Sequence, residues 1–66
     1  LSAKEKEVLD LISKGMSNKQ IANSLGLSHQ TVKNHVTAIL RKFEVTNRKQ
    51  AVSYASERRL ISSGED

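Results

Sequence analysis

The apolar residues recur at helical spacing in four segments, and polar residues or glycine separate these segments. In the first segment Val8, Leu11 and Ile12 fall on one side of a helix, which is the pattern of an amphipathic element. The pattern predicts an all-α four-helix bundle with helices over about residues 3–14, 18–25, 29–43 and 48–58. After a domain of residues 1–61 we expect a frayed tail, because residues 62–66 follow no apolar pattern.

Each predicted helix begins after a side chain that can accept a hydrogen bond from the first turn. These N-cap residues are Ser2, Ser17, Ser28 and Asn47. Glu5, Gln20 and Gln50 each follow an N-cap by three residues, which is the spacing of a capping box. Gly15 and Gly26 mark the ends of the first two helices, because glycine accepts the left-handed backbone that ends a helix.

The third helix has two faces of opposite chemistry, at about 100° per residue. One face carries Val32, Val36, Ile39, Leu40 and Phe43. The other carries Gln30, Lys33, Asn34, Thr37 and Arg41. This second stripe contains no acidic residue, and its side chains can contact phosphates or the hydrogen-bonding edges of bases. An exposed polar face alone is common on helices, so its assignment to DNA binding depends on the residues that precede the third helix.

Those residues favour a helix-turn-helix, in which a first helix crosses the DNA backbone and a second enters the major groove. A helix of about eight residues leads through Gly26 into the longer third helix. Ala22 is small where the two helices would cross, and Val32 supplies an apolar return contact. The pattern therefore predicts that the third helix, at residues 29–43, reads duplex DNA.

The distribution of charge agrees with a polyanionic partner. The net charge is +4, and residues 28–50 hold five basic side chains against one acidic side chain, whereas residues 1–27 are nearly balanced. Such a partner would meet the second half of the chain. With 66 residues and no cysteine, the chain has room for one domain that packing alone must hold together.

A longer set of positions carries a resemblance to a known family. These positions are Leu1, Ser2, Glu5, Val8, Leu9, Gly15, Ser17, Asn18, Lys19, Ile21, Ala22, Leu25, Ser28, Thr31, Val32, Lys33, His35, Ile39, Lys42, Val45, Arg48, Ala51 and Val52. Together they resemble the LuxR-type helix-turn-helix domain, which closes bacterial quorum-sensing regulators and response regulators of the NarL/FixJ group. The resemblance covers about residues 1–60.

The resemblance implies a domain that binds double-stranded DNA as a homodimer, with the third helix in the groove and the fourth mediating self-association. It implies the output domain of a cytoplasmic bacterial transcriptional regulator that contacts RNA polymerase when it activates. We prefer a two-component response regulator, although a lost acyl-homoserine-lactone domain stays open. The N-terminal regulatory domain would lie outside this chain. We expect no cofactor, small-molecule ligand or membrane association in this domain.

The resemblance places Lys33, Asn34 and Thr37 at base edges, and the stripe on the third helix selects the same three. Asn34 suits adenine, Lys33 suits guanine, and the Thr37 methyl group suits the methyl group of thymine. The resemblance also places Lys19, Thr31 and Arg48 at phosphates. To these backbone contacts we add Ser28, Gln30, His35 and Arg41. Val45, Val52 and Tyr54 are candidates for the dimer contact and are equally able to complete the core.

Glu44 departs from the family pattern, which usually places glycine just before the valine that follows the third helix. A left-handed glutamate costs on the order of 1 kcal/mol relative to glycine. We therefore expect the link into the fourth helix, and the dimer surface, to differ in detail.

Other classes of site find little support. His29 and His35 point about 120° apart on one helix and have no cysteine beside them, which argues against a metal site. The serines before the helices are explained by capping, and no catalytic triad or phosphate-binding loop is present, so we expect no enzyme. The alternative is a small helical module that binds an acidic protein surface.

Overall fold

The computed structural model describes residues 1–61, which form the helices α1 (Ala3–Ser13), α2 (Asn18–Leu25), α3 (His29–Phe43) and α4 (Arg48–Glu57). The all-α prediction is confirmed, and α2 and α3 have the predicted bounds. α1 and α4 each end one residue earlier than predicted, because Lys14 and Arg58 already have ψ angles of 4° and 6° and act as C-caps. The tail predicted at residues 62–66 lies outside the described residues.

All four predicted N-caps are present, including Ser17 and Ser28. In α1, the Ser2 hydroxyl accepts from the Glu5 amide at 3.1 Å, and the Glu5 carboxylate accepts from the Ser2 amide at 3.1 Å. In α4, the Asn47 side chain accepts from the Gln50 amide at 2.9 Å. The Gln50 side chain returns to the amide of Thr46, not to that of Asn47, so this helix has an N-cap without a closed box.

The four helices end in the same way, with a left-handed residue followed by an apolar one. The left-handed residues are Gly15, Gly26, Glu44 and Arg59. The apolar residues that follow are Met16, Leu27, Val45 and Leu60, and all four pack against the core. Each donates its amide to the carbonyl five residues earlier, as Val45 does to Leu40 at 3.0 Å. Glu44, at φ 57° and ψ 43°, thus adopts the left-handed backbone considered for this position from the sequence. Arg59 adopts it as well, at a position where the sequence has no glycine and predicts no such backbone.

α3 is the central helix and packs against each of the other three. Its buried residues are Val32, Val36, Ile39 and Phe43. Around them lie Val8, Leu9 and Ile12 of α1, Ile21 and Ala22 of α2, Ala51 and Ala55 of α4, and Ile61. Burial of each large aliphatic side chain contributes about 1.5–3 kcal/mol. Because the apolar face of α3 packs against the other three helices, its polar face must point to solvent.

Two side-chain contacts hold the end of α3. The Lys42 ammonium donates to the Glu5 carboxylate of α1 at 2.8 Å, and the Glu5 side chain is only 11% exposed. The hydrogen bond from Lys42, together with that from the Ser2 amide, holds the pKa of Glu5 below its usual value and outweighs the opposing effect of burial. The next residue of α3, Phe43, stacks on Tyr54 of α4 with ring centroids 4.3 Å apart.

None of the helices in residues 1–61 is both long enough and apolar enough to cross a bilayer.

Candidate nucleic-acid interface

α2, the turn after it and α3 pack together as one helix-turn-helix unit. Gly26 takes φ 67° at the end of α2, and Ser28 caps α3 two residues later. Ala22 and Val32, predicted at the helix crossing, are both buried. The two helices pack directly against each other, so the turn fixes how α3 projects from α2.

The predicted reading side chains stand on the outer face of α3. Lys33, Asn34 and Thr37 are exposed, and so are Gln30 and Arg41. On the inner face Leu40 is half-buried at the edge of the core, and its four apolar partners are buried. The structure thus separates α3 into the two faces that the sequence predicts. The outer face presents donors and acceptors with no carboxylate among them.

Two of these side chains form a pair. The Gln30 side-chain amide donates to the Asn34 Oδ1 at 3.0 Å, one helical turn away. This bond occupies one lone pair of Asn34 Oδ1 and leaves the whole Nδ2 amine free. Asn34 therefore presents two unused donors and one remaining acceptor site, which still suits the adenine edge.

The first turn of α3 contains a second pair of hydrogen-bonded side chains. The Ser28 hydroxyl accepts from the Thr31 amide at 3.0 Å and donates to the Thr31 hydroxyl oxygen at 2.8 Å. The two hydroxyl groups share one hydrogen bond, so the pair keeps one proton that is free to donate to a phosphate.

Three cations face solvent around this surface. Lys19 on α2 and Lys33 and Arg41 on α3 are exposed, and the ion pairs found within residues 1–61 involve Lys4 and Lys42 instead. His35, also on α3, is half-buried. The surface is positive because its cations have no carboxylate partners in the described part of the chain, so it can attract an anionic backbone.

Arg48 differs from these cations because its side chain makes hydrogen bonds inside the molecule. It is half-buried, and its guanidinium donates to the Met16 carbonyl oxygen at 2.6 Å and to the Asn18 Oδ1. Sequence reasoning missed these internal bonds. One signal was available, since a cation at the first position of a helix lies at the unfavourable end of the helix dipole.

The three candidates for a dimer contact do not form one patch. Val52 lines a groove between α4 and the turn after α1, whereas Val45 and Tyr54 line a hollow on the other flank of α4. Tyr54 is also engaged inside the molecule by Phe43, and the Arg58 guanidinium lies 3.8 Å from its ring centre. Lys49 and Ser53 border both depressions and so mark the outward line of α4.

Within residues 1–61, no three side chains of His, Cys, Asp or Glu lie close enough together to hold a metal ion.

Sequence comparison finds close relatives. Residues 1–55 match the family described as bacterial regulatory proteins, luxR family. The response regulator protein VraR of Staphylococcus aureus is 49% identical over 61 residues, which is 92% of this chain and 29% of VraR. VraR of Staphylococcus epidermidis gives the same values. The chain therefore spans less than a third of the length of these curated relatives.

Comparison with solved structures finds the same arrangement of helices. The response regulator ChrA of a heme-sensing two-component system has a TM-score of 0.89 and 44% identity, over 92% of this chain and 30% of ChrA. The transcription factor GerE has a TM-score of 0.90 and 30% identity, over 96% of this chain and 94% of GerE.

Proposed function

Because this chain belongs to the luxR family of bacterial regulatory proteins, we propose that it recognises specific sites on double-stranded DNA as the output domain of a transcriptional regulator. It is a helix-turn-helix domain of the kind that response regulators carry. In the proposed complex α3 enters the major groove and α2 lies across the phosphate backbone.

The outer face of α3 is the observation that carries this proposal. Lys33, Asn34 and Thr37 are exposed together on a helix whose opposite face is locked into the core. We propose that these three side chains read base edges. Each well-aligned bidentate contact of this type discriminates between bases by about 1–3 kcal/mol.

Contacts to the DNA backbone orient the helix in the groove. We propose that Lys19 and Thr31 contact phosphates, since Lys19 is an exposed cation without an ion pair in residues 1–61 and Thr31 carries a hydroxyl group in the first turn of α3. Gln30, Ser28, His35 and Arg41 border the same surface and are proposed to contribute less. Such contacts set orientation and affinity without reading sequence.

On a two-fold DNA site we propose a homodimer that forms through α4. Its outward line is free of core contacts, because Lys49 and Ser53 point away from the buried Ala51 and Ala55. The full regulator is proposed to be a cytoplasmic two-component response regulator that contacts RNA polymerase when it activates transcription. The names of VraR and ChrA support this class.

The proposed activity is binding alone, so it requires neither a catalytic group nor a cofactor. The test is fluorescence anisotropy of the chain with a labelled duplex selected from a random pool, beside a scrambled duplex, across a range of salt concentrations. We expect tighter binding to the selected duplex, with log affinity falling steeply and linearly with log salt because counterions are released.

Equal binding to both duplexes would contradict sequence-specific reading by the isolated chain. No binding to either duplex at low salt would overturn the proposal, and would favour a helical module that binds an acidic protein surface.

A further inference from the structure

Arg48 bridges two helices whose backbones do not approach each other closely. It is the first residue of α4, and its guanidinium donates to the carbonyl oxygen of Met16 and to Asn18, the first residue of α2. In the described part of the chain, no Cα atom of α2 lies within 8 Å of a Cα atom of α4. The connection between the two helices is therefore made by a side chain and not by packing of their backbones.

The position of Arg48 is unfavourable unless these bonds offset it. The N-terminus of a helix carries partial positive charge, and the first turn of α4 contains Arg48 and Lys49 but no acidic residue. The Met16 carbonyl lies in the turn between α1 and α2, where no helical amide reaches it. The Arg48 guanidinium donates the hydrogen bond that this carbonyl would otherwise lack, and the carbonyl dipole stabilises the cation.

We propose that Arg48 is a positioning residue that holds the N-terminus of α2 against α4, so that α2 meets the DNA backbone at a fixed angle to the α4 surface. This inference rests on the proposed function, since α2 is the helix proposed to lie across the backbone. It assigns Arg48 an internal role in place of the phosphate contact that the family resemblance implies.

The geometry favours a bridge over a phosphate contact. Two Nη atoms of the planar guanidinium each reach a different acceptor, whereas lysine would have to serve both acceptors from one nitrogen on a shorter side chain. Lysine, by contrast, is a good phosphate ligand as a point charge. The neighbouring Lys49 is exposed and belongs to no ion pair within residues 1–61, so an outward cation already stands one residue away.

The experiment compares Arg48→Lys and Arg48→Ala with Lys49→Ala, which removes the same charge from the same turn. Leu11→Ala, which trims a half-buried side chain of α1 at the edge of the core, serves as a control for lost stability alone. DNA affinity and its salt dependence are measured where circular dichroism shows every variant folded. Thermal melting of Asn18→Ala, Arg48→Ala and the double variant is measured without DNA.

We expect both Arg48 variants to melt lower by about 6 °C or more and to lose DNA affinity on the order of tenfold. The slope of log affinity against log salt should stay at the wild-type value, because the number of neutralised phosphates is unchanged. Leu11→Ala should melt lower without an equal loss of affinity. In the double variant, the fall in melting temperature should be smaller than the sum of the two single effects.

A wild-type affinity for Arg48→Lys, with a salt slope reduced by about 0.9 in Arg48→Ala, would overturn the inference and identify a phosphate contact. Additive effects of Asn18→Ala and Arg48→Ala on melting would also overturn it. Absence of DNA binding by the wild-type chain would instead overturn the proposed function, and the positioning role with it, while the melting data still report on the bridge.

Discussion

We propose that Asn34 of α3 reads a single base pair, because Gln30 orients its amide and leaves the Nδ2 amine free. We expect Asn34→Ala to lose about 1–3 kcal/mol of discrimination at one base pair of the selected site and little at the others. Competition binding with duplexes changed at one base pair at a time measures this loss.

The matched comparison is Lys19→Ala, which removes a proposed phosphate contact. It should weaken binding to all duplexes alike and lower the salt slope by about 0.9. If Asn34→Ala weakened every duplex equally, Asn34 would be a backbone contact and not a reading residue.

Glu44 combines two local penalties at the end of α3. Its backbone is left-handed, and its carboxylate stands where the helix dipole is negative. We expect Glu44→Gly to raise the free energy of unfolding by about 1 kcal/mol, measured as a higher urea midpoint at an unchanged m-value.

Glu44→Gln separates the two penalties, since it removes the charge and keeps the side chain. It should recover only the electrostatic part, about 0.3 kcal/mol. A lower urea midpoint for Glu44→Gly would show that the left-handed backbone is not the dominant cost.

At the scale of elements, the Glu5–Lys42 pair ties the start of α1 to the end of α3. The pKa of Glu5 is lower in the folded chain than its ordinary value, so folding is favoured by its ionised form. This contribution is complete above the unfolded pKa of about 4.3 and is lost as pH falls through the lower folded pKa.

We expect Glu5→Gln to lower the free energy of unfolding at pH 7 by about 1 kcal/mol, a modest value because the Lys42 side chain is half exposed. The difference from wild type should shrink as pH falls below about 4. Thermal melting from pH 7 to pH 3 measures both effects. Glu7→Gln is the control, since Glu7 pairs with Lys4 on an exposed surface. A difference from wild type that stayed constant over this range would contradict the ionic origin.

The elements themselves were largely predictable because their signals are local. Ser2, Ser17 and Asn47 bond to amides three residues away, and the apolar stripe of α3 is a periodicity within one helix. The left-handed backbone of Arg59 was not predictable, because glycine is the usual sequence signal for it and no glycine stands there. The following Leu60 packs against the core, and a tertiary contact of this kind leaves no local signal.

In the candidate site, too, the features with local signals were predictable and the long-range contact was not. The exposure of Lys33 and Asn34 follows from the helical period alone, so the sequence was enough to predict their common face. The bridge from Arg48 to Met16 joins residues 32 positions apart, and its existence depends on how α4 settles beside the turn after α1. Periodicity and motif spacing contain no information on such a contact.

At the scale of the whole molecule, the proposed recognition of a two-fold site depends on self-association. In a two-fold dimer the same patch meets itself, so a charge introduced near the axis meets its own copy. Ser53 is exposed on the outward line of α4, between the groove that contains Val52 and the hollow that contains Tyr54. It is therefore the position where a new charge tests the dimer without disturbing the core.

We expect Ser53→Arg to abolish cooperative binding to a duplex with two half-sites while leaving affinity for a single half-site unchanged or slightly higher. Arginine is the sharper choice because its charge favours DNA binding, so a loss of cooperativity cannot arise from repulsion by phosphates. Gel-shift titrations on duplexes with one and two half-sites separate the two effects. Ser24→Arg places the same charge on an exposed position of α2 and should keep the cooperativity. Full cooperativity in Ser53→Arg would exclude this face of α4 from the dimer and would favour a dimer contact through the groove or the hollow on its flanks.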